Sequence, residues 1–393
     1  MLQELRVSRF MVAYEGYRRK ELDCEEAGLL LGVSERQFRR LRDRYIEEGA
    51  SGILDKRLGK ASARRVAVSD IAWVVEEYRT KYCGFTAMHF YEKMQKDARF
   101  CWGYSWTKSI LQNHGLLVRA PRRGAHRKKR PRRPLPGMML HQDGSTHDWL
   151  GDGGKLDLIV TMDDATSEIY SAGLVAQEGT ASTFQGLIEV AESHGLACSL
   201  YTDRGSHYWL TRQAGGKVDK FNLTQVGRAL KQLGIEHIPA YSPEARGRSE
   251  RTFGTLQDRL VKELALAGIK QIGAANQFIK EVYLAQHNQR FAVTPTQQGS
   301  AFVPVIGSLW RDALCVHEER QVGNDNTVQY ARRVLQLPPT PERAHYVRAT
   351  VRVHEYPDGA LAIFHGPRRL ADYTPDGQLA VTKEEPETSK KAA

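Results

Sequence analysis

Three carboxylates in this sequence sit where the chain changes character. Asp143 lies within Leu140-His141-Gln142-Asp143-Gly144-Ser145-Thr146, at a strand-like position. Asp203 lies in Tyr201-Thr202-Asp203-Arg204-Gly205-Ser206, just after the apolar run Leu196 to Leu200. That run reads as a short buried strand that delivers the carboxylate to its carboxyl end, where Gly205 allows a turn. Glu250 falls in the first turn of an amphipathic helix, among Arg246, Arg248 and Arg251, and Phe253, Leu256, Leu260, Val261 and Leu264 form the buried stripe. Oxygen-only ligands suit hard divalent cations. Phosphodiester chemistry uses two such ions about 3.5 to 4 Å apart, one activating the attacking oxygen and one neutralising the leaving oxygen. The arginines fit contact with phosphates.

Each acid has competitors. Asp148 and Asp152 fall past the first strand, Asp163 and Asp164 read as hairpin-turn residues, Glu236 opens a strand, and Glu244 follows Pro243 in a turn. An isolated turn Asp is ordinarily structural. His141 and His207, beside two of the acids, read as bystanders.

The elements that position these acids follow an α/β pattern over residues 138–290. Leu156 to Met162 and Glu168 to Val175 read as strands joined by a turn at 163–167, giving three sequential, antiparallel strands with the Asp143 strand. A helix over Thr180 to Ser193 precedes the Asp203 strand. A helix near Leu223 to Leu233, a strand at Ile235 to Ile238, the Glu250 helix and a last helix near Ala274 to Asn288 complete this part.

The flanking regions are basic. The chain has 393 residues and a net charge of +11, which favours a polyanionic partner and predicts two to four domains. Within residues 1–60, Gly32 and Ser34 read as the turn and N-cap between two helices. The second of these helices buries Phe38, Leu41 and Tyr45 and presents Arg36, Arg39, Arg40 and Arg42, a helix-turn-helix layout. Residues 64–118 read as a second helical, winged or helix-turn-helix-like module whose last helix, capped by Ser105, carries Lys108.

Residues 119–137 are a proline-broken linker in which Arg119, Arg122, Arg123, Arg127, Lys128, Lys129, Arg130, Arg132 and Arg133 crowd together. Nine like charges fit a tether laid along phosphates better than a plain hinge. Beyond residue 300, alternating runs predict a small β-barrel over 300–378, and residues 382–393 read as a disordered tail. Five scattered cysteines without CxxC spacing argue for a reducing compartment, against a disulfide frame and against a zinc module. The N-terminus lacks a signal-peptide layout, and no apolar run is long enough to span a membrane.

Asp143 on a first strand, the hairpin after it, Tyr201-Thr202-Asp203-Arg204-Gly205 and the Pro-x-x-x-Gly-x-x-Glu run from Pro243 to Glu250 together resemble the DDE core of retroviral integrases and insertion-sequence transposases. With two modules before it and a β-barrel after it, the chain is most similar to ISNCY-type bacterial transposases. The resemblance implies a multidomain α+β protein with an RNase H-like core and a catalytic and metal-binding triad of Asp143, Asp203 and Glu250. It also implies two Mg²⁺ ions, with Mn²⁺ as a substitute, that serve 3′-end cleavage and strand transfer. The implied partners are double-stranded terminal inverted repeats and target DNA, bound by a homo-oligomer in the bacterial cytoplasm, at the nucleoid.

Arg204, Arg246, Arg248 and Arg251 join the N-terminal and linker cations as expected DNA contacts. Two departures stand out: the spacing from Asp203 to Glu250 is longer than the integrase pattern, with residues 209–219 as a Gly-rich insertion, and the integrase zinc module has no counterpart. The competing expectations are a catalytically silent DNA-binding regulator and a general RNase H-like nuclease.

Overall fold

Helices open the chain. α1 (Leu2–Arg18), α2 (Cys24–Leu31), α3 (Glu35–Glu48) and the single turn α4 (Ala50–Ile53) enclose Phe10, Ala13, Ala27, Phe38, Leu41 and Ile53. Asp23 caps α2 through a reciprocal capping box with Glu26, and Gly32 ends it at φ 71°. Ser34 then caps α3, its Oγ accepting from the Gln37 N–H. These are features of a computed structural model that describes residues 2–56, 65–118, 130–211, 213, 216–241, 247–340 and 343–380. Close contacts divide the chain into two units, Met1–Glu76 and Glu77–Ala393. Helix α5 (Val68–Thr80) spans the division.

The second unit begins with α6 (Ala87–Met94) and α7 (Tyr104–Asn113). Gly103, not Ser105, is the N-cap of α7, and Ser105 instead lies inside the helix, where its carbonyl accepts from the Ser109 hydroxyl. No helix among the described residues is long and apolar enough to cross a membrane.

At the centre is a mixed five-stranded sheet. It holds β1 (Leu140–His147), β2 (Leu156–Asp163), β3 (Ile169–Val175), β4 (Ser199–Thr202) and β5 (Glu236–Pro239), in the order β3-β2-β1-β4-β5. The first three strands form an antiparallel meander, as the alternating runs predict. β4 and β5 pair parallel, and β4 pairs parallel with β1. β4 starts later than the apolar run suggests, because Leu196 pairs with Val303 and Cys198 with the Gly137 carbonyl.

Helices cover both faces of the sheet. α8 (Thr180–Ser193) and α9 (Gln225–Gln232) pack on one side, where Leu140, Phe184, Leu187, Leu200, Val226 and Leu230 form a core. A Cβ at Gly186 of α8 would lie 2.8 Å from Gln142 Nε2, so this close approach needs glycine. On the other side α10 (Gly247–Leu266) buries Phe253, Leu256, Leu260 and Leu264 against Leu158, Val160 and Met162. α11 (Ile272–Phe278) and α12 (Leu284–Phe291) flank a π turn at Ile279–Tyr283, where the sequence suggests one regular helix.

The chain then forms β6 (Val316–Gln321), β7 (Thr327–Tyr330), β8 (Arg333–Gln336), β9 (Thr350–Glu355), β10 (Leu361–His365) and β11 (Arg368–Tyr373). These make a four-stranded sheet ordered β11-β10-β9-β6 and a β7-β8 hairpin around one core. Among the described residues no ladder joins β11 to β6, so the expected barrel is an open sheet with a hairpin. The expected tail and most of the linker lie outside the described residues.

Asp164, in the turn after β2, ties the elements together. The sequence presents it as a turn acid, yet it is fully buried. Its Oδ1 accepts from His141 Nε2 at 2.7 Å, Arg130 at 2.5 Å and Arg248 of α10, and its Oδ2 accepts from the Arg133 N–H at 2.8 Å. Arg248 also donates to the Arg130 carbonyl, and Arg132 to the Asp164 carbonyl.

Burial alone would raise the Asp164 pKa. The hydrogen bonds from His141 and the Arg133 N–H, with the charges of His141 and Arg248, outweigh burial and hold the carboxyl well below its usual range. A depressed carboxyl stabilises the fold above its unfolded value, near pH 4, and this contribution is lost as pH falls through the folded value. Asp164→Asn should therefore cost on the order of 3 kcal/mol at pH 7, because it leaves guanidinium charge uncompensated. The gap from wild type should narrow below about pH 4. Urea unfolding of both proteins across that range checks it, and a gap independent of pH would refute the assignment.

Candidate active site

Two residue pairs fix the register of β1 against β4: Leu140 with Leu200, and His141 with Tyr201. Two residues further along each chain stand Asp143 and Asp203. Parallel neighbours in register lie about 5 Å apart, and equal offsets put both side chains on the same face. That face is the one covered by α10, since His141 reaches Asp164 and Ser145 meets Gln257. Asp143 is buried to 7% exposure, and Asp203, the first residue after β4, is half-buried. Asp203 Oδ1 accepts from the Gly205 N–H at 2.8 Å, an Asx turn that orients the carboxylate.

Glu250 is exposed in the first turn of α10. Seven residues separate it from Gln257, about 20° short of two full turns, so the two share one edge of the helix. Gln257 Nε2 donates to Ser145 Oγ at 3.0 Å, which aims that edge at β1. The helix is held at its start by Arg248 on Asp164 and further along by Gln257 on Ser145. Glu250 stands two residues past the first of these contacts.

A further carboxylate, absent from the sequence reading, lies at this end of the sheet on the α8 side of β1. A Cβ at Gly144 would come within 2.4 Å of Glu178 Oε2, the end of a flexible side chain that would have to shift. Glu178 Oε1 is 3.5 Å from His207 Nε2, a buried nitrogen with no hydrogen-bond partner. Its one sequence signal is a place in the short loop between β3 and α8.

Below the acids, Tyr208 is fully buried and its hydroxyl donates to Gln142 Oε1 at 3.2 Å, while Gln142 Nε2 donates to Thr161 and to the Thr183 carbonyl. Burial pushes the Tyr208 hydroxyl well above its usual range, and the charges of Glu178, Asp203 and Asp143 push it the same way. The phenol therefore stays protonated as a donor.

The competing acids are accounted for locally. Asp148 accepts from the N–H groups of Gly151, Asp152 and Gly153, and Asp152 from Gly154. Asp163 accepts from the N–H groups of Gly137 and Thr166. Glu236 is exposed at the start of β5, and Glu244 lies outside the described residues. His141 belongs to the Asp164 cluster.

The expected DNA-contacting cations divide into three groups. Arg36 and Arg40 on α3, Lys108 on α7, and Arg133 and Arg251 are exposed, and Arg39 on α3 is exposed but pairs with Glu35. Arg130, Arg132 and Arg248 serve the Asp164 cluster, and Arg204 donates to the Gly216 carbonyl at 2.8 Å and lies over the Tyr241 ring. Arg122, Arg123, Arg127, Lys128, Lys129 and Arg246 lie outside the described residues.

No protein-family model matches the chain. Among known structures, it is similar to the simian T-cell lymphotropic virus intasome in complex with PP2A regulatory subunit B56 gamma, at 16% identity and a TM-score of 0.33, covering 78% of this chain and 97% of that one. It is also similar to the HTLV-2 integrase catalytic core in complex with magnesium (dimeric form), at 17% identity and a TM-score of 0.29, covering 38% and 89%. Likeness at these scores leaves the family assignment to sequence. The transposase for insertion sequence IS1202 of Streptococcus pneumoniae is 32% identical over 162 residues, 41% of this chain and 34% of its own. "Putative transposase y4bF" of Sinorhizobium fredii (strain NBRC 101917 / NGR234) is 32% identical over 344 residues, 86% of this chain and 74% of that protein. Likeness of that extent means that the chain belongs to the transposase family.

Proposed function

We propose that this transposase cleaves the 3′ ends of an insertion sequence and joins them to target DNA, using Asp143, Asp203 and Glu250. The observation that supports the reading is the in-register pairing of β1 with β4, after which Asp143 and Asp203 follow at equal offsets on the face that α10 covers, while Glu250 stands in the first turn of α10. Asp143, Asp203 and Glu250 form an oxygen-only set that fits hard divalent cations such as Mg²⁺, or Mn²⁺ in its place. When bound, two such ions activate the attacking oxygen and neutralise the leaving one.

The chain's own residues do the rest. The Asx turn at Gly205 and the buried Tyr208–Gln142 network hold the carboxylates in place and exclude water from beneath them. Arg251, exposed one residue past Glu250, is set to meet the phosphate backbone, and Arg204 stiffens the 209–219 insertion beside Asp203. α2 and α3 act as a helix-turn-helix on the terminal inverted repeats, with Arg36 and Arg40 as solvent-facing cations, and α7 contributes Lys108. Reaction requires two synapsed ends, so the working form is a homo-oligomer on double-stranded DNA.

Strand transfer tests this directly. Labelled DNA carrying the element's own end and unrelated DNA are each incubated with protein and Mg²⁺ or Mn²⁺. Wild type should cut and join only the first. Glu250→Gln should bind it equally but react about a hundredfold slower or worse, the scale of losing several kcal/mol of charge stabilisation. Binding of ends without reaction under either metal would support a silent regulator instead, and equal cutting of both DNAs a general nuclease. For the α3 contact, Arg40→Ala should weaken end binding and reduce the slope of log affinity against log salt by about one. An unchanged slope would remove Arg40 from the interface.

A further inference from the structure

Three potential metal ligands meet in the C-terminal part of the chain, away from the carboxylates. His317 on β6 and His354 on β9 are directly opposite in the antiparallel ladder. Cys315 precedes His317 by two residues and so shares its face. One ligand atom from each residue lies within 4.8 Å of the other two. Cys315 is fully buried and His354 is 4% exposed.

The hydrogen bonding there is incomplete in a particular way. Cys315 Sγ donates to the Asp312 carbonyl at 3.2 Å, and His317 Nε2 lies 2.8 Å from the same oxygen. His354 has no hydrogen-bond partner for either ring nitrogen, though both are buried. Each unpaired buried polar atom costs about 1–3 kcal/mol. The ring is sandwiched between His317, at 3.8 Å, and Phe364, at 4.1 Å, so packing fixes it while its nitrogens lack partners. A ligand that takes an imidazole lone pair would relieve this.

We propose that Cys315, His317 and His354 form a zinc site that clamps the C-terminal sheet onto the catalytic core. One thiolate and two imidazoles are the donor set of a borderline-soft ion, whereas Mg²⁺ takes oxygen. Binding releases the Cys315 thiol proton to solvent, and water completes the fourth position. Burial works against the Cys315 thiolate, and the positive charges of Arg228, Arg369 and Arg352 offset it only in part. They also disfavour any cation that lacks a bond to sulfur.

The site's position explains what it would do. Arg228 on α9 donates to the Cys315 carbonyl at 2.5 Å and to the Ala313 carbonyl at 3.2 Å. Gln225 exchanges hydrogen bonds with the His317 backbone at 2.8 and 3.1 Å. The ligand-bearing segment is thus already fastened to α9, and a metal bridging it to β9 would extend that attachment into the four-stranded sheet.

The test uses full-length protein purified without chelator and dialysed. Zinc is measured by elemental analysis, and Co²⁺ is titrated into the zinc-depleted protein. Wild type and Glu250→Gln should each hold about one zinc per chain, because the site is separate from the carboxylates. Cys315→Ser and His354→Gln should hold at least about tenfold less. Cobalt should give a near-ultraviolet thiolate-to-metal band in wild type that is missing in Cys315→Ser. The proposal fails if Cys315→Ser retains wild-type zinc. It also fails if wild type holds less than about a tenth of a zinc per chain and shows no thiolate band with cobalt. This last pair needs only the wild-type protein, so a variant that fails to fold does not obscure the result.

Discussion

Everything at the carboxyl end of the central sheet depends on β1 lying parallel to β4. Parallel neighbours cannot be joined by a tight turn and need a long crossover. Here β2, β3 and α8 make up that crossover, with their cores on the two faces of the sheet. The ladder itself is short, two residue pairs, so its register is held by packing. Leu140 and Leu200 are buried together on the α8 side, and His141 lies against the Tyr201 ring on the other. A slip of one residue would turn a carboxylate to the opposite face. The chemistry proposed for this protein therefore rests on an apolar core that contains none of its reacting groups.

The second dependency is electrostatic. A buried carboxylate is tolerated only when its charge is answered, and Asp164 is answered by groups from three parts of the chain: the end of the linker, β1 and the start of α10. Cations that look, in sequence, like a uniform DNA-binding run thus divide in the folded protein. Arg130, Arg132 and Arg248 are engaged with the buried Asp164 turn, Arg130 from an exposed position, and others are exposed without that tie. Net charge alone does not say which arginines remain at the surface.

Much of the core was legible from residue pattern. Alternation identifies β2 and β3 to within a residue or so, and α8 agrees at both ends. Asp143, Asp203 and Glu250 stand out in the sequence as candidates because each lies at the edge of an apolar run. Three features were not legible. Glu178 lies in a loop and reaches β1 beside Gly144, a relation with no local signature. Asp164 looks like any turn acid until the fold buries it. The Cys315 cluster forms from an i, i+2 pair and a cross-strand residue, whereas a search for CxxC spacing looks for ligands from a single loop. The start of β4 was misplaced because Leu196 and Cys198 are apolar for another reason: they pair with the segment near Val303 and with Gly137.

Gly144 has a consequence for its neighbours. The space a side chain would fill there belongs to the Glu178 carboxylate. A methyl group at position 144 would push the end of Glu178 aside, so the room there sets where that carboxylate, and the His207 ring 3.5 Å from it, come to rest on the α8 side of β1.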